Sequence, residues 1–161
     1  MYHNSLLVPS SIEFVDLISC ATRNDFVVEC FCSENFHLNE VSPEKWQGIA
    51  ASWFELTRRI NTDGDPKLIP KSFDLIFTSE TIYNRKYYAD LHDAMDALLT
   101  NDGEIFLAAK TYYFGLDADV GDFRHFVEAR GIFYCTEAWK SHDVDVPRII
   151  LRLKRIFNLQ R

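Results

Sequence analysis

The sequence predicts an α/β fold organised as one domain, on three observations. Two short apolar runs, FDLIFT (residues 73–78) and GEIFLAA (103–109), have the near-unbroken hydrophobicity of strands buried on both faces of a parallel sheet. Each is followed by a segment whose apolar residues recur at helical spacing, so from about residue 72 strands and helices alternate as in β-α-β units. A chain of 161 residues with 47% hydrophobic and 14% aromatic content is long and apolar enough to bury one core of ordinary density.

Taken in order, IEFVDLI (12–18) reads as either a strand or a helical turn, and FVVECFC (26–32) as a strand. Ser42 before Pro43 has the form of a cap with proline at the first helical position, and Trp46, Ile49, Trp53, Leu56 and Ile60 then trace one face of a helix ending before the loop 61–70. After the strand at 73–78, Asn84 is placed to cap a helix on which Tyr88, Leu91, Met95, Leu98 and Leu99 share a face, with Asn101-Asp102-Gly103 as the stop. The strand at 103–109 leads through Lys110 to Gly115 into a helix carrying Val120, Phe123, Phe126 and Val127, closed by Gly131. IFYCTEAW (132–139) and VPRIILRLKRIF (146–157), joined by a polar turn, form an antiparallel hairpin. In its second strand Ile149, Leu151 and Leu153 alternate with Ile150, Arg152 and Lys154, the pattern of an edge or solvent-lapped strand.

Composition excludes several functions. Seventeen basic against 24 acidic residues give a net charge of −7, which argues against a general nucleic-acid or membrane-surface binder. No segment reaches the roughly 18 apolar residues of a membrane span, and MYHNSLLVPSS lacks the form of a secretory signal, so an intracellular protein is expected. Cys20, Cys30, Cys32 and Cys135 are too few for a disulfide framework, and a lone C-x-C is weak as a zinc site; reduced thiols and no metal are expected. The five histidines show no ligand spacing.

Polar and aromatic groups crowd both strand ends: Glu80, Tyr83 and Asn84 after the first, Lys110, Tyr112 and Tyr113 after the second. Ligands of open α/β sheets bind just past the carboxyl ends of such strands. Together TSETIYN (78–84) and FLAAKTYYFG (106–115), with the order of elements around them, resemble the C-terminal half of the histidine-specific protein methyltransferases, over about residues 73–157. These are related to the lysine methyltransferases that carry a D/E-x-x-Y motif at the same strand end.

The resemblance implies a Rossmann-like sheet of the seven-strand, S-adenosylmethionine-dependent class, with 73–78 and 104–109 as its fourth and fifth strands and the hairpin as its last two in reversed order. It implies methyl transfer to a histidine of a protein substrate, the alternatives being a lysine acceptor or a degenerate, non-catalytic binding module lacking the cofactor glycine loop. Glu80 and Tyr83 take the catalytic positions, and Asn84, Lys110 and Tyr113 lie on the substrate side. Trp46, Thr78 and Ser79 lie on the cofactor side, although Trp46 also falls on an apolar stripe suited to core packing. The implied setting is a monomer in the cytoplasm or nucleus acting on a ribosomal or translation-related protein.

The chain departs from that family at its start. Such a fold needs a glycine-rich turn after the first strand and an acidic residue ending the second. The six glycines include no G-x-G, and the earliest is Gly48. The sequence therefore reads as a domain without its first strand or strands, leaving the edge of the fourth unpaired, with Asp16 as the candidate ribose-binding acid if 12–18 is a strand.

Overall fold

The computed structural model describes residues 4–8, 18–22, 24–63, 68–142 and 145–156. They form a seven-stranded sheet in the order β3-β2-β1-β4-β5-β7-β6. Its strands are β1 (Asn4–Val8), β2 (Ile18–Thr22), β3 (Trp46–Ala50), β4 (Phe73–Ser79), β5 (Leu99–Lys110), β6 (Phe133–Lys140) and β7 (Arg148–Arg155). β2 and β3 are parallel, as are β4 and β5, while β7 runs antiparallel between β5 and β6. The two expected central strands and the reversed hairpin are thus in the places the sequence assigned them.

No parallel first strand occurs among the described residues. Its slot is filled by β1 running the other way, antiparallel to both β2 and β4. Five residue pairs from Asn4↔Ser79 to Val8↔Leu75 close the edge of β4 that an empty slot would expose.

One face of the sheet carries the core. Ile76, Ile105, Leu107, Leu151 and Leu153 are buried there against α3 (Trp53–Arg58), α4 (Tyr88–Leu98) and α5 (Val120–Arg130), which contribute Leu56, Leu91, Met95, Leu98, Phe123 and Val127. Local signals set these helices. Ser52 Oγ accepts from Glu55 N at 3.2 Å, Asp119 Oδ1 accepts from Asp122 N at 2.8 Å, and Gly131 takes the left-handed conformation (φ 68°) that ends α5. On the opposite face α1 (Asp25–Val27) passes through a π-helical turn, Val28–Cys32, into α2 (Ser33–Leu38) over β2 and β3. Beyond them Phe77 stacks on Phe106 with ring centroids 5.6 Å apart, and Phe77 remains 38% exposed.

Four expectations need correction. Residues 26–32 are helical, because Asn24 accepts from Phe26 N at 2.9 Å and starts a helix that the apolar run then continues. Residues 46–50 are a strand and only Trp53–Arg58 an α-helix. WQGIA satisfies helical spacing by coincidence; in β3 Ile49 joins the main core, while Trp46 packs with Val27, Cys32 and Phe36 on the other face. A Cβ on Gly48 would meet Val28 Cγ1 at 2.0 Å, so the absent side chain is what lets this helical layer approach the strand. β5 begins at Leu99 rather than near Gly103, its register shifting opposite Phe73–Leu75 where Thr100 Oγ1 donates to Asp74 Oδ1 at 2.9 Å. Finally, β7 is internal and β6 is the edge strand. Two basic residues of β7 share one carboxylate, with Arg152 Nε 2.7 Å from Glu104 Oε2 and Lys154 Nζ 2.6 Å from Glu104 Oε1. Of the remaining early residues, Ile18 opens β2, and 11–17, including Asp16, lie outside the described residues. No helix among the described residues is long and apolar enough to cross a membrane.

Arg155, 4% exposed, binds the C-terminal end of α4. It ion-pairs with Asp96 and donates to the carbonyls of Asp96 and Leu99 at 2.9 Å and of Thr100 at 3.2 Å. Arg155→Met leaves these acceptors without their donor, and an expected loss of about 2–4 kcal/mol is checked by the denaturant midpoint. His92 is fully buried against Phe126 and Phe133, with neither ring nitrogen hydrogen-bonded. Burial first, then Arg130, hold its pKa below the ordinary value, with Asp93 opposing. The unfolded chain therefore binds the proton more readily, and stability falls as pH drops below the unfolded-state value of about 6.5. In His92→Leu the difference in unfolding free energy between pH 7 and pH 5 is expected to shrink.

Candidate acceptor site at the ends of β4 and β5

The ends of the two parallel strands are tied together in register, Ser79 opposite Ala108, and the ladder continues one step past β4 with Glu80 N–H donating to Ala108 O at 2.9 Å. Glu80 then turns the chain in the left-handed conformation, φ 55°. A non-glycine residue there costs about 1 kcal/mol and persists only where its surroundings over-determine it.

The loop that follows is pinned on several sides. Thr78 and Thr81 share a buried hydroxyl hydrogen bond of 3.0 Å. Asn84 accepts from Lys86 N at 3.0 Å, capping the short helical turn Arg85–Tyr87. The Tyr88 hydroxyl, on α4, lies 3.1 Å from Ile82 O and 3.2 Å from Asp119 O, linking this loop to the start of α5. Burial first, then the charges of Asp122 and Asp119, push Tyr88 up to about 12, so it remains a donor. Arg85 ion-pairs with Asp122 across the same gap.

Within this frame Glu80 Oε2 is buried without a hydrogen-bond partner, and so is the hydroxyl of Tyr113, a residue 7% exposed. Most buried polar atoms are satisfied, and one that is not costs about 1–3 kcal/mol, so each of these two marks a place open to a further partner. Burial, with the Glu80 carboxylate as the next cause, holds the Tyr113 phenol well above the ordinary tyrosine range. The Tyr83 ring meets that of Tyr113 edge to face at 6.4 Å, and Lys110 Nζ stands 6.0 Å from the Tyr113 ring centroid. Ser79, Glu80 and Lys110 line an open groove of about 450 Å³ whose far wall is Trp139, Arg148 and Ile150.

Of the residues singled out in the sequence, the fold gathers Ser79, Glu80, Tyr83, Lys110 and Tyr113. Thr78 is buried with its hydroxyl on Thr81, and the Asn84 side chain serves as a cap. Trp46 is the first residue of β3, hence at the opposite end of the sheet from Glu80, and stacks on Phe36 at 4.7 Å. Trp139 and Arg148 were not visible as groove residues. Trp139 is placed by a register shift in β6 between Glu137 and Trp139, and nothing in the local pattern marks that irregularity. Tyr88 read as one member of an apolar stripe; only its hydroxyl distinguishes it from its neighbours.

Among the described residues no glycine-rich turn follows a parallel strand beside β4. The slot where a glycine turn would follow a parallel strand holds the antiparallel β1, and no glycine precedes Gly48.

No family model matches the chain. It is 40% identical over 117 residues to the histidine protein methyltransferase 1 homolog of Rattus norvegicus, covering 71% of this chain and 31% of that protein. The Mus musculus homolog is 42% identical over 105 residues, 65% of this chain and 28% of the relative. The chain thus spans about a third of the length of these relatives, and the resemblance read from its two motifs stands. Solved structures of similar fold include a precorrin-6y C5,15-methyltransferase from Geobacter metallireducens, with TM-score 0.52, 15% identity, and coverage of 84% of this chain and 64% of that one. A ribosomal protein L11 methylase from Lactobacillus delbrueckii subsp. bulgaricus has TM-score 0.52, 15% identity, and coverage of 84% and 56%. The mitomycin 7-O-methyltransferase has TM-score 0.56, 11% identity, and coverage of 85% and 41%. The mixed α/β sheet is structurally similar to that of class I methyltransferases and lacks their full Rossmann strand set.

Because Glu80 is held in a disfavoured conformation with a buried unpartnered oxygen, Glu80→Gly is expected to leave stability unchanged or raise it by up to about 1 kcal/mol. Thermal unfolding measures this. A loss of stability in Glu80→Gly would show the carboxylate to be structural.

Proposed function

We propose that this chain carries the acceptor site of a protein-histidine methyltransferase whose methyl donor is S-adenosylmethionine. The observation that carries the reading is Glu80, a strained, partly buried carboxylate at the end of β4 inside the motif TSETIYN, in a chain similar to proteins named for histidine methylation. Methylation needs a neutral nitrogen lone pair held in line with the leaving group, so positioning is most of the work. An imidazole with a pKa of about 6.5 is largely neutral near pH 7 and needs no strong base. A carboxylate that accepts the N–H of one ring nitrogen fixes the tautomer and makes the other nitrogen the nucleophile. Glu80 takes that part, with the groove between Lys110 and Trp139 receiving the substrate backbone. The setting is the cytoplasm or nucleus, on a protein of the translation machinery.

A second reading is favoured by β1. With the central slot occupied by a reversed strand, the chain would hold a histidine-bearing segment without transferring a methyl group. Calorimetric titration with S-adenosylhomocysteine, paired with methyl transfer from labelled S-adenosylmethionine to protein, separates the two. The first reading expects micromolar binding and methylhistidine, reduced at least about tenfold in Glu80→Gln. Methyllysine as the product, or an unchanged rate in Glu80→Gln, would overturn it, and a folded chain that ignores the cofactor supports the second.

A further inference from the structure

We infer that Lys110 and Arg148 form a carboxylate-binding subsite, so that the protein segment received at Glu80 carries a glutamate or aspartate close to its histidine. This rests on the acceptor-site reading above. Residues of β5 and β7 alternate between the core and the outer face of the sheet, and Ala108 and Lys110 share the outer face with Arg148, Ile150, Arg152 and Lys154. At one end of this face the chain neutralises its own cations, since Arg152 and Lys154 both ion-pair with Glu104. At the other end, beside Glu80, Lys110 is paired directly opposite Arg148. Side chains so placed leave the ladder with Cβ atoms about 5 Å apart, and like charges there repel. Among the described residues no carboxylate forms an ion pair with either of them. An anion from outside would relieve that repulsion, as Glu104 does for its two partners.

The surroundings fit a peptide that brings the anion. Ala108 and Ile150, opposite one another, line the groove between Glu80 and the cations, and Trp139, 52% exposed, stands opposite Ile150 on β6. The charges set the order of contacts, Glu80 taking an N–H and the two cations a carboxylate. β7 lies two strands over from β4, about 10 Å, which an extended segment covers in about three residues. The net charge of −7 repels a nucleic acid over long range, while two adjacent cations still attract an acidic side chain at contact.

The test uses the whole chain and a short glycine peptide holding one histidine, with glutamate at the second position to either side. NMR follows the side-chain nitrogens of Lys110 and Arg148, and Glu80. Replacing both glutamates by glutamine is expected to weaken binding about fivefold at low ionic strength, the scale of a solvent-lapped ion pair, and added salt should remove the difference. The double variant Lys110→Gln with Arg148→Gln changes no fully buried side chain and should bind the two peptides alike. A third peptide, with alanine for histidine and its glutamates kept, should still shift Lys110 and Arg148. Equal binding of the glutamate and glutamine peptides, or an unchanged preference in the double variant, overturns the inference. So does a short oligouridylate that shifts the same two residues at lower concentration than the glutamate peptide. A glutamate preference that persists with no preference for histidine over alanine overturns the acceptor reading instead and leaves the carboxylate subsite standing.

Discussion

The hydrogen bond from Glu80 N–H to the Ala108 carbonyl is the constraint on which the site depends. It extends the β4–β5 ladder by one residue, so the chain can leave the sheet only by an abrupt reversal, and Glu80 makes it at positive φ. The side chain is thereby directed into the space between the two strand ends instead of along the strand. Tyr88, Thr81 and the Asn84 cap then fix the returning loop, and the groove is what remains between β5, the turned loop and the start of β7.

The sheet supplies the rigidity this arrangement needs. β4 and β5 have neighbours on both sides, and the apolar layer of α3, α4 and α5 holds their buried face. Filling the slot beside β4 with the antiparallel β1 satisfies the backbone of that strand edge. The ends of β4 and β5 are therefore braced on both sides although the neighbouring slot holds a reversed strand.

Legibility followed the agreement of local and tertiary signals. At 73–131 apolar runs, the Asn84 cap and Gly131 point the same way, and the elements were readable. Asn84 caps a short helical turn that leads into α4, close to the expected start. At 46–60 one helical stripe served two elements, since Trp46, Ile49 and Trp53 also fit a strand followed by a capped helix, and only pairing with β2 decides. At 26–32 the β-prone composition lost to the Asn24 cap and to packing of Val27 and Cys32 against Trp46 and Phe36. Glu80, Tyr83, Lys110 and Tyr113 were legible because a chemical type at a strand end is a local fact. Trp139 and Arg148 were not, because the register shift in β6 and the pairing of β7 with β5 are not local.

On the proposed reading, the space beside Glu80 receives a neutral imidazole. The most direct measurement is NMR titration of the 161-residue chain with a short histidine-containing peptide, compared with the same peptide carrying alanine or lysine there. Shifts are expected at Glu80, Tyr83, Lys110 and Tyr113 for the histidine peptide alone, abolished in Glu80→Gln. Equal shifts with the lysine peptide, or perturbations away from the ends of β4 and β5, would contradict it.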